Sequence, residues 1–405
     1  MDFSLPAEID SLRQRVREFV ASRIIPLETD AANFDAHENI APAVLERVRA
    51  EVKAAGLWAP QLAREHGGLG LAFVGVTALY EEMGRSIFGA VCFNCAAPDD
   101  GNMRLLQQVG TPEQKRWWLQ PVADGKVRSA FAMTEPMPGS GSDPAGAMLT
   151  HAERTGNKWH IRGRKWFITG AGEAKHFIVL ARTSDSPRKG LSAFLFHADQ
   201  PGWRIVRRIP IMGPEEHGGH CELQFDGLEV GDENVLLNVG DGLKVAQIRL
   251  GPARLTHCMR WLGMAQRAMQ IAGEYVRDRD SFGSKLAAHE GVQWLLGDAA
   301  MQIEIGRLLT MRAAWRLDQK QLARQDISMA KIQVSETLHQ AVDTALQLLG
   351  ARGYSKDTPV EWMYRYARQA RLVDGASEVH KMVLANLYLE SMGAAKSKEF
   401  WRWGV

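Results

Sequence analysis

The spacing of apolar residues changes twice along the chain, and this limits the folds that it can adopt. In residues 1–128 apolar side chains recur at helical spacing, as at Ile9, Leu12, Val16 and Phe19. Residues 129–236 hold short β-branched and aromatic runs between turns, which is typical of strands. Residues 237–405 return to the helical period. The order predicts the α+β class, with an N-terminal all-α domain, a middle β domain and a C-terminal four-helix bundle.

Turn residues divide these regions into predicted elements. A buried helix is expected at 86–97, and Thr111–Pro112 predicts a helix start with Thr111 as the N-cap. The middle region predicts strands at 176–183, 191–197, 203–209 and 221–230. The last region predicts four long helices, at 248–279, 292–323, 326–350 and 359–393.

Composition and charge argue against several classes of protein. The net charge of +2, without a clustered Lys/Arg run, argues against a nucleic-acid or anionic-membrane partner. No apolar run approaches the roughly 18 residues that a transmembrane helix needs. The acidic start, MDFSLPAEID, lacks the basic and apolar parts of a signal or transit peptide, so we expect a cytoplasmic protein.

Two clusters of residue types that can bind metals are interpreted without a metal. Cys92-x-x-Cys95 lies in an apolar run, and no second pair supplies further ligands, so both thiols are expected in the core. His217-x-x-His220-Cys221 lies in a Gly-rich turn with no fourth ligand, so we expect a loop there. We therefore predict no metal site.

Residues 131–143, FAMTEPMPGSGSD, carry the pattern that points to function. They form neither a Walker loop, since no Gly-Lys-Ser/Thr follows, nor a dinucleotide fingerprint. Phe131 and Met133 are followed by the hydroxyl of Thr134, the carboxylate of Glu135, a proline and a Gly/Ser loop. Apolar residues fit beside a flat ring, and small residues let backbone N–H groups approach a phosphate.

Four further blocks follow in order: KWFITG at 165–170, RDRDSFG at 277–283, QLLGARGY at 347–354 and VDGASEVH at 373–380. Together with residues 131–143 they resemble the acyl-CoA dehydrogenase family across almost the whole chain. Residues 97–103 and 251–260 are similar to the branch that includes animal members 10 and 11 and bacterial relatives. The resemblance implies the same order of helical domain, β domain and four-helix bundle.

The resemblance also implies a FAD-dependent α,β-dehydrogenation of an acyl-CoA thioester. This reaction needs a base for the Cα proton, an acceptor for the Cβ hydride and hydrogen bonds to the thioester oxygen. No side chain accepts a hydride, so a flavin is required, with N5 as the acceptor. Electrons would then pass to an electron-transfer flavoprotein.

By resemblance, residues 131–134 lie along one edge of the flavin and the KWFITG block lies on its other side, with Thr169 near N5. Apolar and aromatic side chains at these places suit a flat ring. The predicted ring contacts are Phe131, Met133, Thr134, Trp166, Phe167 and Thr169.

The Gly/Ser loop departs from the common spacing of the family, which is Thr-Glu-Pro, two residues, then Gly-Ser-Asp. Here Gly-Ser occurs at that distance without the Asp, and Gly-Ser-Asp occurs two residues later. Ser142 is predicted to contact both the FAD pyrophosphate and the CoA substrate, and Ser140 is the alternative.

Two blocks imply a cofactor site shared between subunits. Arg279 and Phe282 match the Arg-x-x-Phe-Gly of the family, in which the Arg pairs with the FAD pyrophosphate of a neighbouring subunit. Gln347 and Gly350 match its Gln-x-x-Gly-Gly, although Ala351 replaces the second glycine. A homodimer or homotetramer is therefore implied.

Asp374 is the predicted catalytic base, since it occupies the place of a family Glu. Burial under a flavin and an acyl chain is expected to raise its pKa and strengthen it as a base. Asp is one methylene shorter, about 1.5 Å of lost reach, which matters because proton abstraction needs near contact. Ala253, where some branches place the base, has no carboxylate. The alternative for Asp374 is a helix-capping role.

Neighbours of the base are assigned by the same resemblance. The N–H of Asp374 is expected to bind the thioester oxygen. Gly375 and Arg254 are predicted near the substrate, and Ser377 and Glu378 near the cofactor.

Two other functions remain open. Oxidases on this fold, of the nitroalkane or acyl-CoA type, resemble the family, and nitroalkane oxidases use an Asp base. A third branch is DNA-associated and only weakly active, but the net charge of +2 argues against it.

Overall fold

The computed structural model describes residues 4–141, 143–186 and 189–393, and it confirms the predicted α+β class. Thr111 caps a helix as predicted, since its hydroxyl accepts from the N–H of Gln114 and its own N–H donates to Oε1 of Gln114, both at 3.1 Å. The helices before the sheet are α1 (Ala7–Phe19), α2 (Pro42–Ala54), α3 (Phe73–Gly84), α4 (Gly89–Cys92), α5 (Asp99–Val109), α6 (Pro112–Gln114) and α7 (Gln120–Ala123).

The expected helix at 86–97 is wrong, because only the four residues of α4 are helical there. Asn94 has a left-handed backbone, with φ of 60°, which an α-helix does not tolerate. Burial was predicted correctly: Cys92 and Cys95 are fully buried, free thiols in the core of the helical region.

The middle region forms a seven-stranded sheet in the order β1-β4-β2-β3-β7-β6, with β5 paired to β4. All four predicted strands are present, with ends that differ by one or two residues at most. The elements are β1 (Arg128–Ala132), α8 (Pro144–Ala147), β2 (His151–Thr155), β3 (Lys158–Thr169), β4 (Ala174–Arg182), β5 (Leu191–His197), β6 (Trp203–Arg208) and β7 (His220–Gly231).

Strand β4 separates two hydrophobic cores. Phe177 and Val179 lie in the core of the β region, whereas Ile178 and Leu180 lie in the core shared with the helices. Alternate residues of a strand face opposite sides of a sheet, so a strand between two cores is apolar on both faces. β4 thus packs the sheet against the helices, and β1, which pairs with it in parallel, lies at the junction.

The fourth helix expected at 359–393 is wrong, because the chain breaks it in two. Asp374 and Gly375 have left-handed backbones, with φ of 51° and 100°, and these exclude a continuous α-helix. The elements are α9 (Gly242–Asp278), β8 (Asp280–Ser281), β9 (Ser284–Lys285), α10 (Glu290–Asp318), α11 (Arg324–Leu349), α12 (Ala351–Tyr354), α13 (Val360–Ala367) and α14 (Ser377–Ser391). Within the described ranges, no helix is both long and apolar enough for a membrane span.

A buried ion pair fixes the loop that follows β1. Nζ of Lys165 lies 2.9 Å from Oε1 of Glu135 and donates to the carbonyl of Met133 at 2.9 Å. Glu135 also accepts hydrogen bonds from the N–H groups of Leu149 and Thr150. Burial lowers the pKa of Lys165 to about 8, which still leaves it charged at neutral pH. Burial alone would raise the pKa of Glu135, but Lys165 and the backbone N–H groups outweigh burial and lower that pKa.

Lys165→Met should lower the free energy of unfolding by about 3–5 kcal/mol, because it leaves the Glu135 carboxylate buried without its cation. Lys158, on the same strand, pairs with Glu229 in solvent and supplies the control. Lys158→Met should change the stability little. Urea unfolding at pH 7 compares the two variants, and equal losses would contradict a structural role for the buried pair.

Candidate active site

A cleft of about 1000 Å³ lies between the β region and the C-terminal helices. One wall is built from the ends of β1 and β3, and the other from the first half of α9 and the loop after α13. The cleft brings together predicted residues from three of the five sequence blocks and from residues 251–260: Phe131, Met133, Thr134, Trp166, Phe167, Thr169, Arg254, Asp374 and Gly375.

The wall on the β side is shaped by an irregularity in β3. The pairing of β3 with β7 shifts between Lys165 and Ile168, and Phe167 has a left-handed backbone with φ of 50°. Such a conformation is strained for a bulky residue and is found most often at functional sites. Phe167 is 45% exposed in the cleft. The N–H of Trp166 donates to the carbonyl of Thr134 at 3.0 Å, which joins the two predicted flavin-contact segments.

Three polar groups form a chain of contacts at the same wall: the carboxylate of Glu216, the imidazole of His220 and the hydroxyl of Thr169. Nδ1 of His220 lies 3.1 Å from Oγ1 of Thr169, and its Nε2 lies 3.0 Å from Oε2 of Glu216. Gln369 donates to the other oxygen of Glu216. Burial lowers the pKa of His220, but the adjacent Glu216 outweighs burial and the net shift is upward. The loop expected here is wrong for His220, because it is the first residue of β7, and sequence reasoning missed this arrangement.

Asp374 lies opposite, held between donors. Oδ1 lies 3.3 Å from Nη1 of Arg249, and Oδ2 lies 3.2 Å from Nε2 of His257. Nε of Arg254 donates to the backbone carbonyl of Asp374 at 2.7 Å. A raised pKa is expected for this carboxylate when a flavin and an acyl chain cover it, whereas in the chain alone the shift is downward. Burial alone would raise the pKa of Asp374, but Arg249, His257 and Arg254 together hold it well below its usual range.

Arg249 and His257 were missed by the sequence analysis, although a signal for them exists. Arg249, Ala253, His257 and Arg260 follow one another at intervals of three or four residues, so they share one face of α9. All four are buried. Arg249 also lies over the ring of Phe131, 4.9 Å from its centroid, so it connects the two walls of the cleft.

The residues assigned to a shared cofactor site lie outside the cleft of the single chain. Arg279, Gln347 and Gly350 are exposed, and Phe282 is 97% exposed with φ of 51°. The two groups lie at the same end of the bundle, since the guanidinium of Arg352, after α11, is 6.0 Å from the ring centroid of Tyr275 on α9.

The other residues assigned to the cofactor, Ser377, Glu378 and the serines of the Gly/Ser loop, differ in burial and position. Ser377 is buried, with Oγ 3.4 Å from Oγ of Ser335, and Glu378 is exposed; neither lines the cleft. Ser142 lies outside the described residues. The hydroxyl of the alternative, Ser140, is fully buried, although Gly139 and Gly141 on either side line the cleft.

The paired histidines considered for a metal have other partners. Nε2 of His217 lies 3.0 Å from the carbonyl of Ile40, and His220 contacts Thr169 and Glu216 as described. In the part of the chain that the structure describes, no group of three His, Cys, Asp or Glu residues is arranged to hold a metal ion.

Comparisons with known proteins agree with this architecture. The N-terminal, middle and C-terminal domain models of the acyl-CoA dehydrogenases match residues 6–126, 130–228 and 240–389. FadE2 of Mycobacterium tuberculosis, named a probable acyl-CoA dehydrogenase, is 36% identical over 400 residues, which cover 96% of this chain and 97% of that protein.

A longer relative and a solved structure extend the comparison. Acyl-CoA dehydrogenase family member 11 of Gallus gallus is 37% identical over 386 residues, 92% of this chain but only 49% of the longer protein. The structure of butyryl-CoA dehydrogenase from Megasphaera elsdenii superposes with a TM-score of 0.84 at 27% identity, covering 96% of this chain and all of that one. By its sequence over nearly its full length and by its three-part fold, the chain belongs to the acyl-CoA dehydrogenase family.

Proposed function

We propose that the chain is a FAD-dependent acyl-CoA dehydrogenase, with Asp374 as the base that removes the α-proton of an acyl-CoA thioester. The observation that carries the proposal is the position of Asp374. Its carboxylate lies at a cleft whose opposite wall gathers the side chains assigned to the flavin ring.

The cleft fits a flavin in size and in lining. A volume of about 1000 Å³ is at the upper end of the usual range for cofactor pockets, and the wall opposite Asp374 is apolar and aromatic. Phe131, Met133, Trp166 and Phe167 would hold the flat ring, and the Thr169 hydroxyl would meet its polar edge. FAD, when bound, supplies the acceptor for the hydride from Cβ.

The residues of this chain supply proton transfer and orientation. Asp374 is ionised at neutral pH, because the neighbouring donors hold its pKa low. An acyl chain that fills the cleft removes the remaining water from the carboxylate, which raises its pKa toward that of an effective base. The bond from Arg254 to the carbonyl of Asp374 fixes the loop, so that the N–H of Asp374 is available for the thioester oxygen as its charge develops.

Asp374→Asn keeps the shape of the side chain but removes its basicity. We expect the variant to bind FAD and to lose at least about 100-fold in the rate of anaerobic flavin bleaching by acyl-CoA. Wild-type protein and Glu153→Gln, whose exposed carboxylate lies on β2 and outside the cleft, serve as controls and should both bleach. Turnover retained in Asp374→Asn would show that another group is the base.

The fate of the electrons distinguishes a dehydrogenase from an oxidase. We propose transfer to an electron-transfer flavoprotein, so flavin reduced by a panel of acyl-CoAs should reoxidise slowly in air and rapidly with that acceptor. Rapid oxygen uptake, above all with nitroalkanes, would favour the alternative function of an oxidase, since an Asp base is compatible with it.

We also propose a homo-oligomer, dimer or tetramer, that completes the FAD site from two chains. From Glu290 to Gln302 every residue of α10 is at least partly exposed in the single chain. Large apolar residues recur on α10 every seven positions, so they form one exposed stripe. Its members are Trp294, Met301, Leu308 and Trp315, between 47% and 64% exposed. Arg279 and Gln347, assigned to a neighbour's FAD, are also exposed.

Leu308→Asp should dissociate the oligomer, because a carboxylate on the stripe cannot be buried against a second chain without a partner. Val239→Asp, at an exposed position outside the stripe, is the control and should leave the assembly intact. Sedimentation velocity measures the mass, and the FAD content should fall along with it. A wild-type monomer, or an unchanged mass in Leu308→Asp, would contradict the proposal.

A further inference from the structure

We propose that His257 is a positioning residue for the catalytic base: it holds Oδ2 of Asp374, so that Oδ1 is the oxygen that receives the α-proton. The inference rests on the proposed function of Asp374. It is carried by the geometry of a buried chain of contacts that runs from Asp374 through His257 into the N-terminal helices.

The two oxygens of Asp374 face different surroundings. Oδ1 lies beside Arg249, which lines the cleft, whereas Oδ2 lies beside His257, which does not. His257 instead lines a second, smaller cavity of about 90 Å³, together with Arg260 and Trp261. Oδ1 is therefore the oxygen on the cleft side, and His257 lies between the carboxylate and the smaller cavity.

The contacts of His257 determine which of its ring nitrogens carries the proton. Nη2 of Arg260 lies 3.3 Å from Nδ1, and a guanidinium can only donate, so Nδ1 is the acceptor. The proton of the neutral ring is then on Nε2, which faces Oδ2 of Asp374 at 3.2 Å. Burial lowers the pKa of His257 and outweighs the opposite effect of Asp374, which favours this neutral form.

Arg260 is itself held from the other side. Its Nη1 donates to the carbonyl of Cys95 at 2.8 Å and lies 3.4 Å from Oδ2 of Asp100. The hydroxyl of Tyr80 donates to the other oxygen of Asp100, Oδ1, at 3.0 Å. The His257 ring stacks on Trp261, with centroids 4.9 Å apart. With Nδ1 occupied and one face covered, the ring has little freedom to turn. Nε2–H is thus a fixed donor rather than a step in a proton relay.

A neutral donor suits a short carboxylate that is already surrounded by cations. Charged or titratable groups reach Asp374 from three elements: Arg249, Arg254 and His257 from α9, Lys331 from α11, and His380 from α14. A further cation at position 257 would lower the pKa of Asp374 more and weaken it as a base. The imidazole fixes the orientation without adding a charge.

Two amide substitutions separate this role from simple packing. Gln at 257 places its amide nitrogen near Nε2 of the histidine and keeps a donor to Asp374, whereas Asn places it near Nδ1 and loses that donor. We expect His257→Gln to bleach anaerobically with acyl-CoA at close to the wild-type rate. His257→Asn should be about 100-fold slower in the bleaching rate at saturating substrate, with substrate affinity little changed, because a displaced reacting group loses about that much.

The pH dependence gives a readout that packing alone would not move. A donor to the ionised form lowers a carboxylate pKa, so its loss raises that pKa. The acid limb of the bleaching rate should therefore lie at higher pH in His257→Asn than in wild type, and close to wild type in His257→Gln. His339→Asn, on α11 and away from Asp374, is the control and should show no shift.

The outcomes distinguish the two proposals. Wild-type protein that binds FAD but is not bleached by any acyl-CoA overturns the function itself. If wild type bleaches, equal rates and equal acid limbs in the Gln and Asn variants overturn the role of His257. Histidine ¹⁵N spectra of the flavin-free wild-type protein test the tautomer without a measurement of activity. The His257 signals are assigned by their loss in His257→Gln. A protonated Nε2 supports the role of His257, and a protonated Nδ1 overturns it.

Discussion

The hydrogen bond from Arg254 to the backbone carbonyl of Asp374 joins the active loop to the longest helix of the protein. The loop needs this support, because two consecutive residues with left-handed backbones interrupt what the sequence pattern describes as one helix. Arg249 and His257, on the same helix, then hold the carboxylate itself. One rigid element thus determines where the proposed base lies and which of its oxygens meets the substrate.

The opposite wall of the cleft depends on a separate set of contacts. The Glu135–Lys165 pair ties the loop after β1 to β3, and the shifted pairing within β3 turns Phe167 into the cleft. β4, which is apolar on both faces, packs this region against the helices. The distance between the proposed base and the wall proposed for the flavin is therefore set by the packing of the sheet on the bundle, because each wall is closely packed within its own part of the protein.

Cations surround the Asp374 carboxylate in the cleft. A buried carboxylate without partners has a raised pKa. The sequence predicts such a rise for Asp374, because it places this residue under a cofactor. Arg249, His257 and Arg254, all on α9, reverse that direction in the single chain. The proposed base is thus kept ionised and oriented in the single chain, and in the proposed mechanism the exclusion of water by the acyl chain increases its basicity.

The sequence alone determined the succession of helical and strand regions, the burial of Cys92 and Cys95 and the positions of four strands, because periodicity is a property of neighbouring positions. Nine of the residues that meet in the cleft were assigned by the resemblance of the sequence blocks to the family. Only the tertiary structure decided where the last helix breaks, that Phe167 and Asp374 adopt left-handed backbones, and that Arg249 and His257 contact the base. The contacts of Arg249 and His257 with Asp374 join residues more than 100 positions apart. Helical spacing places both side chains on one face of α9, but it does not say what that face contacts.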